Sequence, residues 1–114
     1  MNDCVFCEIV AGRAPAKVLK RWDDAIAIEP LNPVTRGHAL VIPTVHVKDF
    51  GEEAWTTGVM FMHATEFAAE LGPANLITSR GVEATQSVFH LHVHVIPRRI
   101  NDFITLPWSG GIDH

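Results

Sequence analysis

Apolar positions recur along this chain with two different periods, and each change of period marks an element. KVLKRWDDAIAIEP, residues 17–30, reads as two short strands around Asp23 and Asp24, joined as a tight hairpin. LNPVTRGHALVIP, residues 31–43, is a turn-rich connection through Pro33 and Gly37. It leads into a buried strand of roughly His38 to Ile42, stopped by Pro43. From Glu52 to Leu71 the period lengthens. Trp55, Val59, Met62, Phe67 with Ala68, and Leu71 recur at three- to five-residue intervals, which predicts a helix with these residues on its inward face. Gly72 and Pro73 end it. ANLITS, residues 74–79, is a fourth strand, and SVFHLHVHVIP, residues 87–97, is a long fifth one. Ahead of all these, CVFCEIVAGRAP, residues 4–15, predicts a short helix closed by Gly12, with Pro15 preventing its continuation. Five strands with short links and one long helix before the last two predict an α+β fold. Its parts are a five-stranded, largely antiparallel sheet, the long helix and a short N-terminal helix.

The fifth strand carries the chemistry. Residues two apart on a strand share a face, so His90, His92 and His94 project together while Leu91, Val93 and Val95 face the other way. Such a row spaces its imidazoles ~6.5–7 Å apart. Two readings follow from the residues alone. The row can ligate a metal, or one ring can act as a nucleophile while its neighbours hold a phosphate. A cupin-like metal site would want a carboxylate soon after the histidines, and the chain continues with Pro97, Arg98 and Arg99 instead. A nucleophilic imidazole must be neutral at working pH, with an acceptor that decides which nitrogen keeps the proton. Donors must also meet the charge on the transferring group.

The bulk composition bounds the partners. The chain has 114 residues, 47% hydrophobic and 19% charged, which suits one small globular domain over 1–114 with a modest core. A net charge of −4 supplies no basic field for a nucleic-acid polymer. The N-terminus lacks the pattern of a signal peptide, and no apolar run approaches the ~20 residues of a membrane span. A cytoplasmic location is expected. Cys4 and Cys7, two residues apart between them, then suggest metal or redox chemistry more than a structural disulfide.

HLHVHVI, residues 90–96, is similar to the signature of the histidine-triad (HIT) family, His-φ-His-φ-His-φ-φ with φ apolar. LNPVTRGHALVIPTVHV resembles the family's "NP…GH.LVIP..H" segment, CVFCEIVAG its Cys-x-x-Cys opening, and GVEATQSVFHLHVHVIPR its final loop and strand. The resemblance covers most of the chain and points to the zinc-containing, nucleoside phosphoramidase-like branch.

It implies a hydrolase or nucleotidyl transferase that cleaves nucleotides at the α-phosphate through a covalent nucleotidyl-histidine. His92 would be the nucleophile, His94 a donor to a phosphate oxygen, Ser87 a contact to the phosphate or leaving atom, and His38 a support near the nucleophile. The Gly81–Gln86 loop would form part of the phosphate cradle, with Ser79 and Glu29 as further substrate-binding positions. Cys4, Cys7, His46 and His90 would hold a structural zinc, and no metal is required for the chemistry itself. The resemblance also implies a homodimer and a purine nucleotide as substrate.

Three positions depart from the family pattern. Ser79 stands where an asparagine is usual, Pro30 where an acidic residue bonds the ribose, and Thr85 where a glycine is common. They motivate an alternative, a nucleotide-binding or regulatory protein with little or no turnover. A third reading places a catalytic metal on all three triad histidines. His63 reads as an ordinary helix residue, Trp55 and Phe61 as packing, and the terminal His114 carries no inference.

Overall fold

The computed structural model describes residues 4–109; His114 lies outside them. Val18–Arg21 (β1) and Ala25–Ile28 (β2) form the expected hairpin, closed by the Trp22 N–H donating to the Ala25 carbonyl at 2.9 Å. Ala39–Pro43 (β3) pairs with β2, and Val93–Pro97 (β5) lies between β3 and Ala74–Ile77 (β4). The order is β1-β2-β3-β5-β4 with every pair antiparallel, as the α+β expectation requires.

Alternation along the strands builds two different faces. Ala25, Ala27, Ala39, Val41, Val93 and Val95 point to one side, where they cluster with Met60 and Ala64 of the long helix Ala54–Ala68 (α2). The small alanines let α2 approach this face closely. Ile26, Ile28, Leu40 and Ile42 point to the other side and meet Phe6 of the N-terminal helix Val5–Val10 (α1). No helix among the described residues is long and apolar enough to cross a membrane.

At six residues, α1 is too short to persist by its own hydrogen bonds. It is held by burial of Phe6 and by its ends. The Cys4 sulfur accepts the Cys7 N–H at 3.3 Å, and Gly12, at φ 78°, lets the Arg13 N–H return to the Glu8 carbonyl at 2.8 Å. The Glu53 carboxylate caps α2 by accepting the Trp55 and Thr56 N–H groups.

Three expectations are corrected. The inward face of α2 is Met60, His63 and Ala64, flanked by Val59 and Phe67; Trp55 (78% exposed) and Met62 (54%) point outward. The helix is apolar nearly all round, so spacing alone does not single out the buried stripe. His63 is more than an ordinary helix residue: it is buried, stacks on Trp22 at 4.6 Å and contacts Asp24 Oδ1 at 2.7 Å. Finally, regular pairing in the fifth strand begins only at Val93. Pro43, at the end of β3, has no N–H to extend the ladder; the chain bends through residues 88–90, and Leu91 and His92 lie outside the pairing.

Candidate functional site

The approach to β5 is tied down by three bonds. The Leu91 N–H donates to the Val47 carbonyl at 2.6 Å, the Thr78 hydroxyl donates to the His92 carbonyl at 2.7 Å, and His90 Nε2 donates to the Pro43 carbonyl at 2.9 Å. Leu91 is thereby sunk into the core under α2, and the histidines on either side of it face the α1 side of the sheet.

From there the row divides. His90 is fully buried, and its Nδ1 lies 3.3 Å from the Cys4 sulfur, 3.4 Å from the Cys7 sulfur and 3.2 Å from His46 Nδ1. His46 Nδ1 is also 3.2 Å from the Cys7 sulfur. The four candidate ligand atoms lie within 4.8 Å of one another. A tetrahedral zinc with Zn–N bonds of ~2.05 Å would hold two nitrogens about 3.4 Å apart, close to the spacing here. The tautomer agrees: a carbonyl can only accept, so His90 carries its proton on Nε2 and offers a bare lone pair at Nδ1. Burial, with smaller contributions from His46 and His92, pulls the His90 pKa down to about 4, keeping the ring neutral as a ligand must be. Burial also pushes the Cys4 thiol upward, and a cation is what would bring it back to thiolate. This donor set fits a metal ion.

His92 and His94 face a cavity of about 570 Å³ instead. The backbone assigns their protons. His92 Nδ1 donates to the His90 carbonyl at 2.8 Å, so its Nε2 carries the lone pair. The Val34 N–H donates to His38 Nδ1 at 3.0 Å, so the His38 proton sits on Nε2 and is donated to His94 Nδ1, also at 3.0 Å. A neutral His94 must then hold its proton on Nε2. Burial lowers the pKa of both His38 and His92. For His94, burial and then electrostatic coupling to the facing His92 and His38 rings bring it to about 4. All three are neutral near pH 7. The result is one imidazole with a free electron pair beside another with a free N–H, their rings 5.1 Å apart. This is closer than the ~6.5–7 Å between same-face positions along a strand.

The cavity is lined by Ser87, His38, His92 and His94, by apolar side chains including Phe6, Ile9, Ile28 and Leu40, and by Lys17, Glu29, Pro30 and Asn32. Glu29 pairs with Lys17 Nζ at 3.4 Å. Of the other expected substrate-binding residues, Ser79 is half-buried on the link after β4, and Gly81 begins the 3₁₀ turn Val82–Ala84. Gln86 is buried and turned into its own loop. Its Oε1 accepts the Gly81 N–H at 2.8 Å, and its Nε2 donates to the Lys48 and Val88 carbonyls. Its side chain braces the loop. Thr85 takes the left-handed conformation (φ 71°) that explains why glycine would suit that position.

A family model for the HIT domain matches residues 11–101. The chain belongs to the histidine-triad family. It is 35% identical over 104 residues to Protein hit of Bacillus subtilis, covering 85% of this chain and 72% of that protein. It is also 35% identical over 108 residues to Adenylylsulfatase HINT3 of Arabidopsis thaliana, covering 89% of this HIT chain but spanning only 55% of the plant protein. Among solved structures, the zinc-bound histidine-triad protein of Mycobacterium smegmatis matches with a TM-score of 0.84 at 35% identity, over 90% of this chain and 80% of that one. A HIT family hydrolase of Clostridium thermocellum matches at 0.78 and 33% identity, over 87% and 93%.

Several site residues escaped the sequence reading. Lys17 carries no motif signal. Asn32 stands in the LNP stretch already singled out, and Phe6, between the two cysteines, is marked only by its neighbours. The reading with a catalytic metal on all three triad histidines is set aside on geometry. Among the described residues, the side chains close enough to share an ion join His90 to Cys4, Cys7 and His46 and include neither His92 nor His94.

Proposed function

We propose that this HIT-family chain is a nucleotide hydrolase or nucleotidyl transferase that cleaves at the α-phosphate through a covalent nucleotidyl-histidine on His92. The observation that carries the reading is the bond from His92 Nδ1 to the His90 carbonyl, which leaves Nε2 as the electron pair at the cavity. Nε2 attacks phosphorus, a P–N bond forms, and the bond to an amine or phosphate leaving group breaks. Water then attacks phosphorus and returns the P–N electron pair to Nε2, so one difficult displacement becomes two easier ones. The His94 Nε2–H is placed to donate to a non-bridging oxygen, where charge concentrates in the transition state. Ser87 is the hydroxyl nearest this pair in the sequence and shares the cavity. Phe6, Ile9, Ile28 and Leu40 supply an apolar wall for a purine base.

Cys4, Cys7, His46 and His90 would hold a zinc whose four protein ligands leave no open position, so it would fasten α1 to the sheet and take no part in the displacement. The outward apolar residues Trp55 and Met62 of α2, together with the edge strand β4, support a homodimer.

Incubation with an adenosine phosphoramidate, a dinucleoside polyphosphate and adenylyl sulfate tests the reading. Turnover in the parent and none in His92→Ala is expected; equal turnover in both would sink it. The second reading, nucleotide binding with little turnover, draws on Pro30 in the cavity wall, whose side chain has no group to bond a ribose. Calorimetric binding of a nucleoside monophosphate, with no cleavage of any of the three substrates, is its signature.

A further inference from the structure

Phe6 stands between the two cysteines, and its ring is 7% exposed. It lies perpendicular to two imidazoles at once, His90 at 5.9 Å and 82°, and His92 at 5.2 Å and 84°. One neighbour belongs to the metal centre and the other to the cavity. A second connection joins the same two centres, because the His90 carbonyl accepts the His92 Nδ1–H while the His90 side chain faces the sulfurs.

We propose that Phe6 is a positioning residue for His92, and that its own place is set by the cysteine–histidine metal centre, so that filling this centre orients the nucleophile. The inference rests on the reading of His92 as nucleophile and adds a role that the four-ligand description of the metal leaves out.

Its physical basis is the shortness of α1. Six residues do not hold a helix in water, so the location of the Phe6 ring depends on its two flanking cysteines being tethered. The His92 ring has one hydrogen bond among the described residues, at Nδ1, and a single bond does not prevent rotation about the Cβ–Cγ axis. Rotation would break that bond, release the tautomer and swing Nε2 away from the cavity. The perpendicular Phe6 ring on one side and His94 on the other close off that rotation. A displacement of about 1 Å at a reacting atom costs on the order of 10²-fold in rate, so the orientation matters kinetically.

The test uses the zinc-loaded full chain, its Phe6→Leu variant, and Phe6→Met as a second apolar side chain of similar volume. Leucine and methionine keep the core filled but remove the flat ring. Long-range ¹⁵N–¹H spectra of the imidazoles read the His92 tautomer directly. The parent is expected to show one fixed Nδ1–H form; both variants are expected to shift toward tautomer averaging. Formation of the nucleotidyl adduct in a single turnover is expected to fall about 10²-fold. The spectra are taken without nucleotide, so the His92 readout is independent of any loss of AMP affinity from altering the Phe6 part of the cavity wall. Removing zinc from the parent with a chelator is expected to give the same His92 change. A His92 spectrum in both variants that matches the parent overturns the proposal, and a matching spectrum in the chelated chain overturns the link to the metal. Should the parent form no adduct while the variants still show the tautomer shift, the nucleophile reading fails and the positioning role stands.

Discussion

His94 offers a quantitative test of the neutral-row argument through stability. Burial first, then the facing His92 and His38 rings, bring its pKa from 6.5 down to about 4 in the folded chain. Between these values the unfolded chain binds a proton that the folded one refuses. Its contribution is therefore complete above pH 6.5 and is lost as pH falls toward 4. Taken at face value, the loss between pH 7.5 and pH 5.5 is about 1.3 kcal/mol. Part of the ring is in solvent, which screens the effect, and about 1 kcal/mol remains.

The perturbation is His94→Asn, whose amide oxygen can still accept the His38 Nε2–H, so the neighbouring network survives. Urea denaturation of parent and variant at the two pH values, at fixed zinc excess, isolates the term. Titrating groups that do not touch residue 94 are the same in both proteins and cancel in the difference. The parent should lose about 1 kcal/mol more than the variant on acidification, about 0.5–1 M in urea midpoint. Identical pH slopes would refute the claim that His94 is held neutral by its surroundings.

Leu91→Ala should cost about 3 kcal/mol, since the side chain is 1% exposed under α2, and lower the melting temperature by about 10 °C. Turnover per folded molecule should fall as well, because the buried Leu91 side chain holds His90 and His92 at their depth, and assays normalised to the folded fraction will show it. Chelation should remove about 4 kcal/mol of stability if zinc is in thousandfold excess over its Kd, read as a fall in melting temperature. Cys4→Ser should show most of that loss already and respond little to further chelator. On the outer face of α2, Trp55→Glu should convert a dimer to a monomer by light scattering while the isolated fold loses less than about 0.5 kcal/mol.

The parts of the fold that were legible are those where one residue dominates its surroundings. Gly12 and Pro15 end α1 whatever packs above, and the period-two runs of β2 and β3 make two faces wherever the sheet sits. The inward stripe of α2 was not legible, because Trp55 and Met62 are as apolar as Met60 and Ala64. Which of them turns inward is decided by the alanines of the sheet that receive the helix, residues far away in sequence. The length of β5 was hidden for a similar reason: its limit is the missing N–H of Pro43 on another strand. The division of labour at the site was legible only through family likeness. HLHVHVI places three rings on one side, but nothing within it says that His90 turns to Cys4 and Cys7 while its neighbours turn to the cavity.

What separates the roles of these chemically identical side chains is where each keeps its proton, and the backbone decides that one ring at a time. The Pro43 carbonyl draws the proton of His90 to Nε2 and frees Nδ1 for a metal. The His90 carbonyl draws that of His92 to Nδ1 and frees Nε2 for phosphorus. The Val34 amide, acting through His38, leaves His94 with an N–H to give. This arrangement works only while every ring is neutral, because an imidazolium has two protons and no free pair. Burial enforces that condition by pulling His90 and His94 down to about 4 and His38 and His92 downward with them. The apolar residues alternating with the histidines are therefore part of the chemistry. Leu91, Val93 and Val95 sink the segment into the core, and that depth keeps a ligand, a nucleophile and a donor distinct within five residues.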